Sequence, residues 1–390
     1  MDNVGVFQNV QIKNDVLKFQ LVGSHVSYAN TLRRIILCEV PTVGFRAEIL
    51  KDGSTSDIKI ERNTTAMSNE MLAHRIGLLP LHASPVDWDP DRYVFKLNVE
   101  NTGPNPLDVY ASDIDVYEVV DGIQTRIPNT QFFKKNTLTG ETCLIALLKP
   151  SVANQTPEAI SLIAKATVGI GKENMRYSTV SQCAYSYTRD PNEEKQKQLF
   201  IKWLDSHKKI NIIELESDNE RLSMYKREFE TMEAARCYVM NAKGEPSSFD
   251  FSIETVGVHN PYDIVAEALR ILVKRCYAYG AIDKGDLPDN IKIQPTKKEA
   301  KGYDVYFQAE DHTLGNLLTT WMDENILDPT GNTDGTVSYC GYCVPHPLRD
   351  EMLMTIVAKD ILITRKAIAV AAAQCSKMFS TWRTEWSTLK

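Results

Sequence analysis

The sequence is short of basic charge. Its 390 residues carry 44 Lys and Arg against 51 Asp and Glu, a formal net charge of −7. A free-standing nucleic-acid-binding chain usually shows a basic footprint, so any link to nucleic acid is expected to be indirect or confined to a local patch. Long apolar runs are missing too. No stretch approaches the roughly 20 consecutive apolar residues of a spanning helix, and no membrane role is expected. The opening residues, MDNVGVFQNVQIKND, have neither a basic n-region nor an apolar h-region, which argues against a signal peptide. Paired cysteines are scarce. The eight cysteines, Cys38, Cys143, Cys183, Cys237, Cys276, Cys340, Cys343 and Cys375, are too scattered for a disulfide framework and point to a reducing, intracellular setting.

Catalytic signatures are equally thin. Gly169-Ile170-Gly171-Lys172 suggests a phosphate loop, but the full spacing and the following Ser or Thr are absent. Asp87, Asp89 and Asp91 alternate as in a calcium loop, but Pro90 interrupts them and the distal bidentate Glu is missing. Cys340 and Cys343 form the one Cys-x-x-Cys. Structural zinc needs four ligands, and the next candidates are His346 and Cys375. In a strand, residues three apart also point to opposite faces. His74 and His82 are separated by Pro80 and Leu81, which breaks helical ligand spacing. No cofactor or metal is expected, and no catalysis by the chain alone.

Material for cores is plentiful, at 43% hydrophobic residues, and the length suggests two or three domains. Residues 4 to 22 read as strand, turn, strand around Asn14-Asp15. A helix is expected over about 27 to 39, with Leu32, Ile35 and Ile36 on one face. Short strands such as 92–99, 114–120 and 144–148 follow, separated by turn clusters such as NTGPNP. The charged stretches 190–198 and 214–230 mix both signs and read as solvated helix faces or loops. FDFSIETV at 249–256 alternates as a strand. Asn260-Pro261 then caps a helix with Leu269 and Leu272 on its apolar stripe and Gly280 at its end. AIDKGDLPDN looks like a linker. Strands at 290–295 and 303–309 lead to a third helix after Asp311, whose apolar face is Leu314, Leu317, Leu318, Trp321 and Met322. A Gly/Asn/Asp-rich loop at 329–335, strands 337–344 and 352–358, and a long helix with Phe379 and Trp382 on one face complete the chain.

The order strand, strand, helix, later strand, long helix therefore occurs twice, and the two short helices share a motif. Asn30-Thr31-Leu32-Arg33-Arg34-Ile35-Ile36 lies against His312-Thr313-Leu314-Gly315-Asn316-Leu317-Leu318. Gly315 costs such a helix about 1 kcal/mol relative to alanine.

YANTLRRIILCEVPT, NEMLAHRIGLLPL, VGIGKENMRYSTVSQCAY and FDFSIETVGVHNPYDIVAEAL resemble the third-largest subunit of multisubunit DNA-directed RNA polymerase, a family that includes the bacterial alpha and archaeal D subunits. AEDHTLGNLL and GYCVPHPL resemble its small partner subunit, called eleven in eukaryotic polymerase II and L in archaea. The resemblance implies an α+β fold with two related alpha-type dimerisation units paired within one chain. The first, 1–45 with 246–282, would be interrupted by a mostly β inserted domain at 46–245. A linker at 283–290 would lead to the second unit at 291–390.

By the same resemblance, Leu32, Ile35, Ile36, Leu269, Leu272, Leu314, Gly315, Leu317, Leu318, Trp321, Phe379 and Trp382 form the dimerisation interface, with Gly315 admitting a neighbouring helix backbone. Asn30, Thr31, Arg33 and Arg34 lie where such a subunit meets the second-largest subunit, the arginines being suited to bidentate carboxylate contacts. Arg75 and Gly77 support the turn into the inserted domain and contacts nearby. The implied role is a non-catalytic assembly scaffold for the largest and second-largest subunits and other small subunits, not a homodimer. The chain departs from the pattern of many relatives in having no cysteine cluster between 82 and 100. The fusion itself is similar to an arrangement in large cytoplasmic DNA viruses, which implies host cytoplasm and virion as the location, or the nucleus if the chain is cellular. The rival readings are a DNA-binding regulator and a metal or thiol enzyme using Cys340 and Cys343.

Overall fold

The computed structural model describes residues 5–48, 57–153, 155–215, 218–233, 237–297, 302–328 and 337–389. The loop expected at 329–335 lies outside the described residues. In chain order the elements begin β1 (Phe7–Lys13), β2 (Val16–Val22), α1 (Val26–Cys38), β3 (Thr42–Gly44), β4 (Ile58–Asn63) and α2 (Asn69–Gly77). There follow β5 (Tyr93–Glu100), β6 (Leu107–Tyr110), β7 (Asp115–Val120), β8 (Ile123–Ile127), β9 (Leu144–Leu148), β10 (Ala159–Ala164), β11 (Thr167–Gly169) and β12 (Val180–Tyr187). Then come α3 (Glu193–Trp203), α4 (Ile212–Leu215), α5 (Asn219–Met232), β13 (Ser248–Thr255) and α6 (Pro261–Tyr279). The chain closes with β14 (Ile291–Pro295), β15 (Gly302–Gln308), α7 (His312–Asn325), β16 (Val337–Cys343), β17 (Glu351–Ala358) and α8 (Ile361–Thr388).

Two compact units result. One comprises Met1–Ile35, Cys183–Ile253 and Ala266–Lys390, and the other Ile36–Gln182 with Glu254–Val265.

The first unit holds two four-stranded sheets, ordered β1-β2-β13-β12 and β14-β15-β17-β16. These are the same order once β14 stands for β1, β15 for β2, β16 for β12 and β17 for β13. Each sheet thus takes two strands before its short helix and two strands between that helix and its long one. The internal repeat is one of topology as well as motif. Period-two patterning explains the second sheet: Met352, Met354, Ile356 and Ala358 alternate inward along β17. Helical spacing explains its cover, because Leu314, Leu318 and Met322 follow at intervals of four along α7 and join those strands and Ile368, Ala371 and Ala372 of α8 in one core. The segment expected as a linker is pinned. Ile282 is buried in that core, and Arg365 of α8 donates to the carbonyls of Ile282 and Gly285 at 2.7 and 2.6 Å.

The charged stretches become α3 and α5, whose inner faces share a small core of Phe200, Trp203, Leu204, Leu215 and Phe229. The second unit is mostly β. Its five-stranded sheet runs β4-β10-β5-β7-β8, with β6 paired to β9 and β3 to β11. Phe45, Ile76, Phe95, Leu97 and Leu162 fill its core.

Candidate pairing interface

The first unit is where the two repeats meet. On α1, Ser27 and Arg34 are seven residues apart, which returns them to one face after two turns. On α7 the same holds for Thr313 and Thr320. Thr320 Oγ1 lies 2.9 Å from Ser27 Oγ, and Arg34 Nε donates to Thr313 Oγ1 at 2.8 Å. The helices therefore run antiparallel, joined at both ends of a two-turn overlap. Thr31 and Leu317 lie between these anchors on their own helices, at i+4 from Ser27 and from Thr313. Both are buried, at 2% and 1% exposure. Past one end of the overlap, Tyr28 donates its hydroxyl to Glu324 Oε2 at 2.6 Å. Burial first, and then Glu324, hold the phenol's pKa above its ordinary value.

A second junction lies between α6 and the residues that open α7. Arg275 donates to Glu310 Oε2 through Nε at 2.9 Å and through Nη2 at 2.5 Å. Tyr279 donates to Glu310 Oε1 at 2.8 Å, and Asn290 Nδ2 reaches the Tyr279 hydroxyl at 3.1 Å. The side chains of Arg275 and Glu310 are 13% and 8% exposed. A buried pair of this kind adds little net stability over apolar residues, but loss of one partner is costly because the other is left charged and dry. Beside it, Asp311 caps α7 by accepting from the Thr313 N–H at 2.8 Å and lies 3.5 Å from Arg34 Nη2.

The long helices complete the arrangement. Ser376 of α8 donates to the Val273 carbonyl of α6 at 3.1 Å. Near the end of α8, Glu385 accepts from the Phe7 N–H at 2.8 Å. Trp382 and Trp386 set their rings edge-on to Phe7 at 5.9 and 4.9 Å, and Phe379 meets Trp382 at 5.2 Å. Leu32, Ile35, Ile36, Leu269 and Leu272 are all at most 1% exposed. Trp321 is half-buried and packs on the second sheet's core.

Several expected roles change. Thr31 is buried on the stripe between the α1 anchors, and Arg34, whose side chain is 34% exposed, bonds Thr313 and Asp311 within the chain. Asn30 and Arg33 remain half-exposed and bond each other, Nε to Oδ1 at 3.0 Å. Leu314 and Leu318 fill the second sheet's own core, whereas Leu317 lies outside that cluster. The close approach at Gly315 comes from the ring of Tyr342 on β16: a Cβ there would fall 2.4 Å from Tyr342 Cδ2. Sequence reasoning missed the Arg275–Glu310 junction, although an arginine on the α6 flank and the Glu-Asp pair before α7 were visible signals.

In the second unit, Arg75 is an internal tie. It donates to the carbonyls of Ile145 and Leu144 of β9 at 2.7 and 3.0 Å. Gly77 is buried, and a Cβ there would sit 3.1 Å from Ala47 Cβ and 3.3 Å from the Phe45 carbonyl. The glycines of Gly169-Ile170-Gly171-Lys172 have packing reasons. A Cβ at Gly169 would touch the Tyr177 ring at 2.6 Å, and one at Gly171 the Leu37 carbonyl at 2.5 Å.

Cys340 and Cys343 lie on β16, the first half-buried and the second exposed. Burial pushes the Cys340 thiol up to about 12. Among the described residues no group of three or more His, Cys, Asp or Glu is placed to hold a metal ion, and no helix is long and apolar enough to cross a membrane.

The RNA polymerase Rpb3/Rpb11 dimerisation domain matches this chain twice, over residues 18–276 and over 303–385. The RPAC1 subunit of DNA-directed RNA polymerases I and III from Homo sapiens is 27% identical over 298 residues, which span 68% of this chain and 81% of the relative. The RPB3 subunit of DNA-directed RNA polymerase II from Schizosaccharomyces pombe is 27% identical over 324 residues, 77% of this chain and 92% of the relative. The Rpo3 subunit from Pyrococcus furiosus is 36% identical over 113 residues, 27% of this chain and 38% of the relative. The two matches, the first of which spans well over half of the sequence, place the chain in the RNA polymerase Rpb3/Rpb11 dimerisation-domain family.

Proposed function

We propose that this chain is a non-catalytic assembly subunit of a multisubunit DNA-directed RNA polymerase, and that it supplies from one polypeptide the paired platform that a third-largest subunit and its small partner form together elsewhere. The observation that carries the reading is the junction of the two family-matched segments within one compact unit, through α1 against α7 and Arg275 against Glu310. Such a subunit works by geometry. It presents a rigid, two-sided surface on which larger subunits are ordered.

The partners in this reading are the largest and second-largest subunits, with other small subunits at the periphery and nucleic acid reached only through them. Asn30 and Arg33, half-exposed on α1, are our candidates for contact with the second-largest subunit. The covalent joining of the two dimerisation halves is the feature we connect with large cytoplasmic DNA viruses, which would put the enzyme in host cytoplasm and virion.

Native affinity capture of the tagged chain from its own source, followed by mass spectrometry, tests this. The two largest polymerase subunits should co-purify in stoichiometric amounts. Recovery of the chain alone, or with no polymerase subunit, would overturn the assignment.

A further inference from the structure

The two halves of the first unit share one topology, so topology alone does not tell a first half (β1, β2, α1, β12, β13, α6) to choose a second half (β14 to β17, α7, α8) over another first half. Aligning the repeats shows what does. In the motif alignment Glu310 stands in the place of Tyr28, and Asp311 in the place of Ala29. Helix α6 follows Asn260, which caps the Tyr262 N–H at 2.9 Å, and α8 follows Asp360, which caps the Ile363 N–H at 2.8 Å. Arg275 and Cys375 lie equally far beyond those caps. The counterpart of the Arg275–Glu310 pair is therefore Cys375 with Tyr28, and Cys375, fully buried, does lie within electrostatic range of Tyr28.

This asymmetry decides the pairing. If two first halves met in the same geometry, Arg275 would face Tyr28 in the place of Glu310. If two second halves met, Glu310 would face Cys375 and find no cation. Each wrong pairing removes one member of an ion pair from a site that leaves Arg275 13% and Glu310 8% exposed, and breaking a buried pair in this way is costly. Only first with second satisfies both. The Arg34–Asp311 contact acts in the same sense, because Ala29 would stand where Asp311 now accepts. We propose that Arg275 and Glu310 are the specificity determinants of this pairing: an arginine carried only by the first half and a glutamate carried only by the second exclude like-with-like association between copies of the chain.

Charge sorting tests the idea without reference to any polymerase, so its failure is distinguishable from failure of the functional assignment. A protease site is inserted after Gly285 in the wild-type chain and in an R275E/E310R chain. Each is cleaved once folded, and one is isotopically labelled. The two are mixed in denaturant, refolded by dilution and weighed by native mass spectrometry. First and second pieces should re-pair by charge, with matched combinations exceeding mismatched ones by more than about a hundredfold, and no first–first or second–second pairs. A near-statistical mixture of the four combinations, or like-with-like pairs from the wild type, overturns the proposal. Uncleaved chains give a second readout. Arg275→Glu and Glu310→Arg should each lower the unfolding temperature sharply, and the combined exchange should restore most of the loss. An exchange variant no more stable than the single variants also overturns it.

Discussion

Tyr28 of α1 and Glu324 of α7 share a hydrogen bond of 2.6 Å, joining two helices that lie almost 300 residues apart in the sequence. The phenol is buried and stays protonated, since burial and the neighbouring carboxylate both raise its pKa. Glu324 is exposed, so it regains water if the hydroxyl is removed. Tyr28→Phe should therefore cost only about 1 kcal/mol, the usual net value of such a bond. Urea unfolding measures it. A loss above about 3 kcal/mol would mean that the hydroxyl supports more of the junction than this single bond.

Gly315→Ala sets two effects against each other. Helix propensity favours alanine by about 1 kcal/mol. The new Cβ, however, would fall 2.4 Å from the ring of Tyr342, and overpacking costs typically 1–3 kcal/mol. The variant should be destabilised on balance, and Gly315→Ala combined with Tyr342→Ala should be less destabilised than the two single effects summed. Additive single effects in a double-mutant cycle would contradict the packing reading.

Leu317 lies between the two threonines that bind α1 and is 1% exposed. Leu317→Asp places a carboxylate on the stripe between the helices and should cost more than about 4 kcal/mol, enough to abolish assembly. Leu317→Met keeps volume and polarity and should cost less than about 1.5 kcal/mol. Soluble yield and thermal unfolding of both variants check this. A fully assembled enzyme carrying Leu317→Asp would contradict it.

Asp311 gives the junction an acid limb. Burial tends to raise its pKa, but hydrogen bonds from Thr313 and the charges of Arg275 and Arg34 outweigh this and leave it lowered. A depressed folded-state pKa contributes stability that is present above the unfolded value of about 3.9 and is lost as pH falls through the folded value. Asp311→Asn should flatten stability against pH below about 4 and leave its slope between pH 6 and 8 unchanged. An unaltered acid limb in the variant would show that Asp311 does not carry it.

The sequence displayed the repeat well because its signals are local. α1, α6, α7 and α8 each show an apolar stripe and, for the last three, an Asn or Asp cap, while Leu144–Leu148 reads as a strand from its apolar run. What stayed hidden depends on which surfaces meet. Nothing near Arg34 says that it turns toward Thr313, and nothing near Gly315 says that Tyr342 lies on it, because both partners come from other elements. Thr31 looked like a surface residue for the same reason. Its burial follows from the antiparallel register of α1 on α7, which no periodicity encodes. β10, second in the five-stranded sheet, alternates in burial from Ile160 to Ala164, but the apolar Ile163 on its less buried face blurs that alternation in the sequence AISLIA.

The central claim is that one chain supplies both members of the pair. Native mass spectrometry of the intact polymerase measures it most directly, by counting copies of this chain and of any separate small partner subunit. One copy of the chain with no separate partner of the small type is the predicted composition. Two copies of the chain in one enzyme, or one copy bound to an independent small partner, would contradict the account.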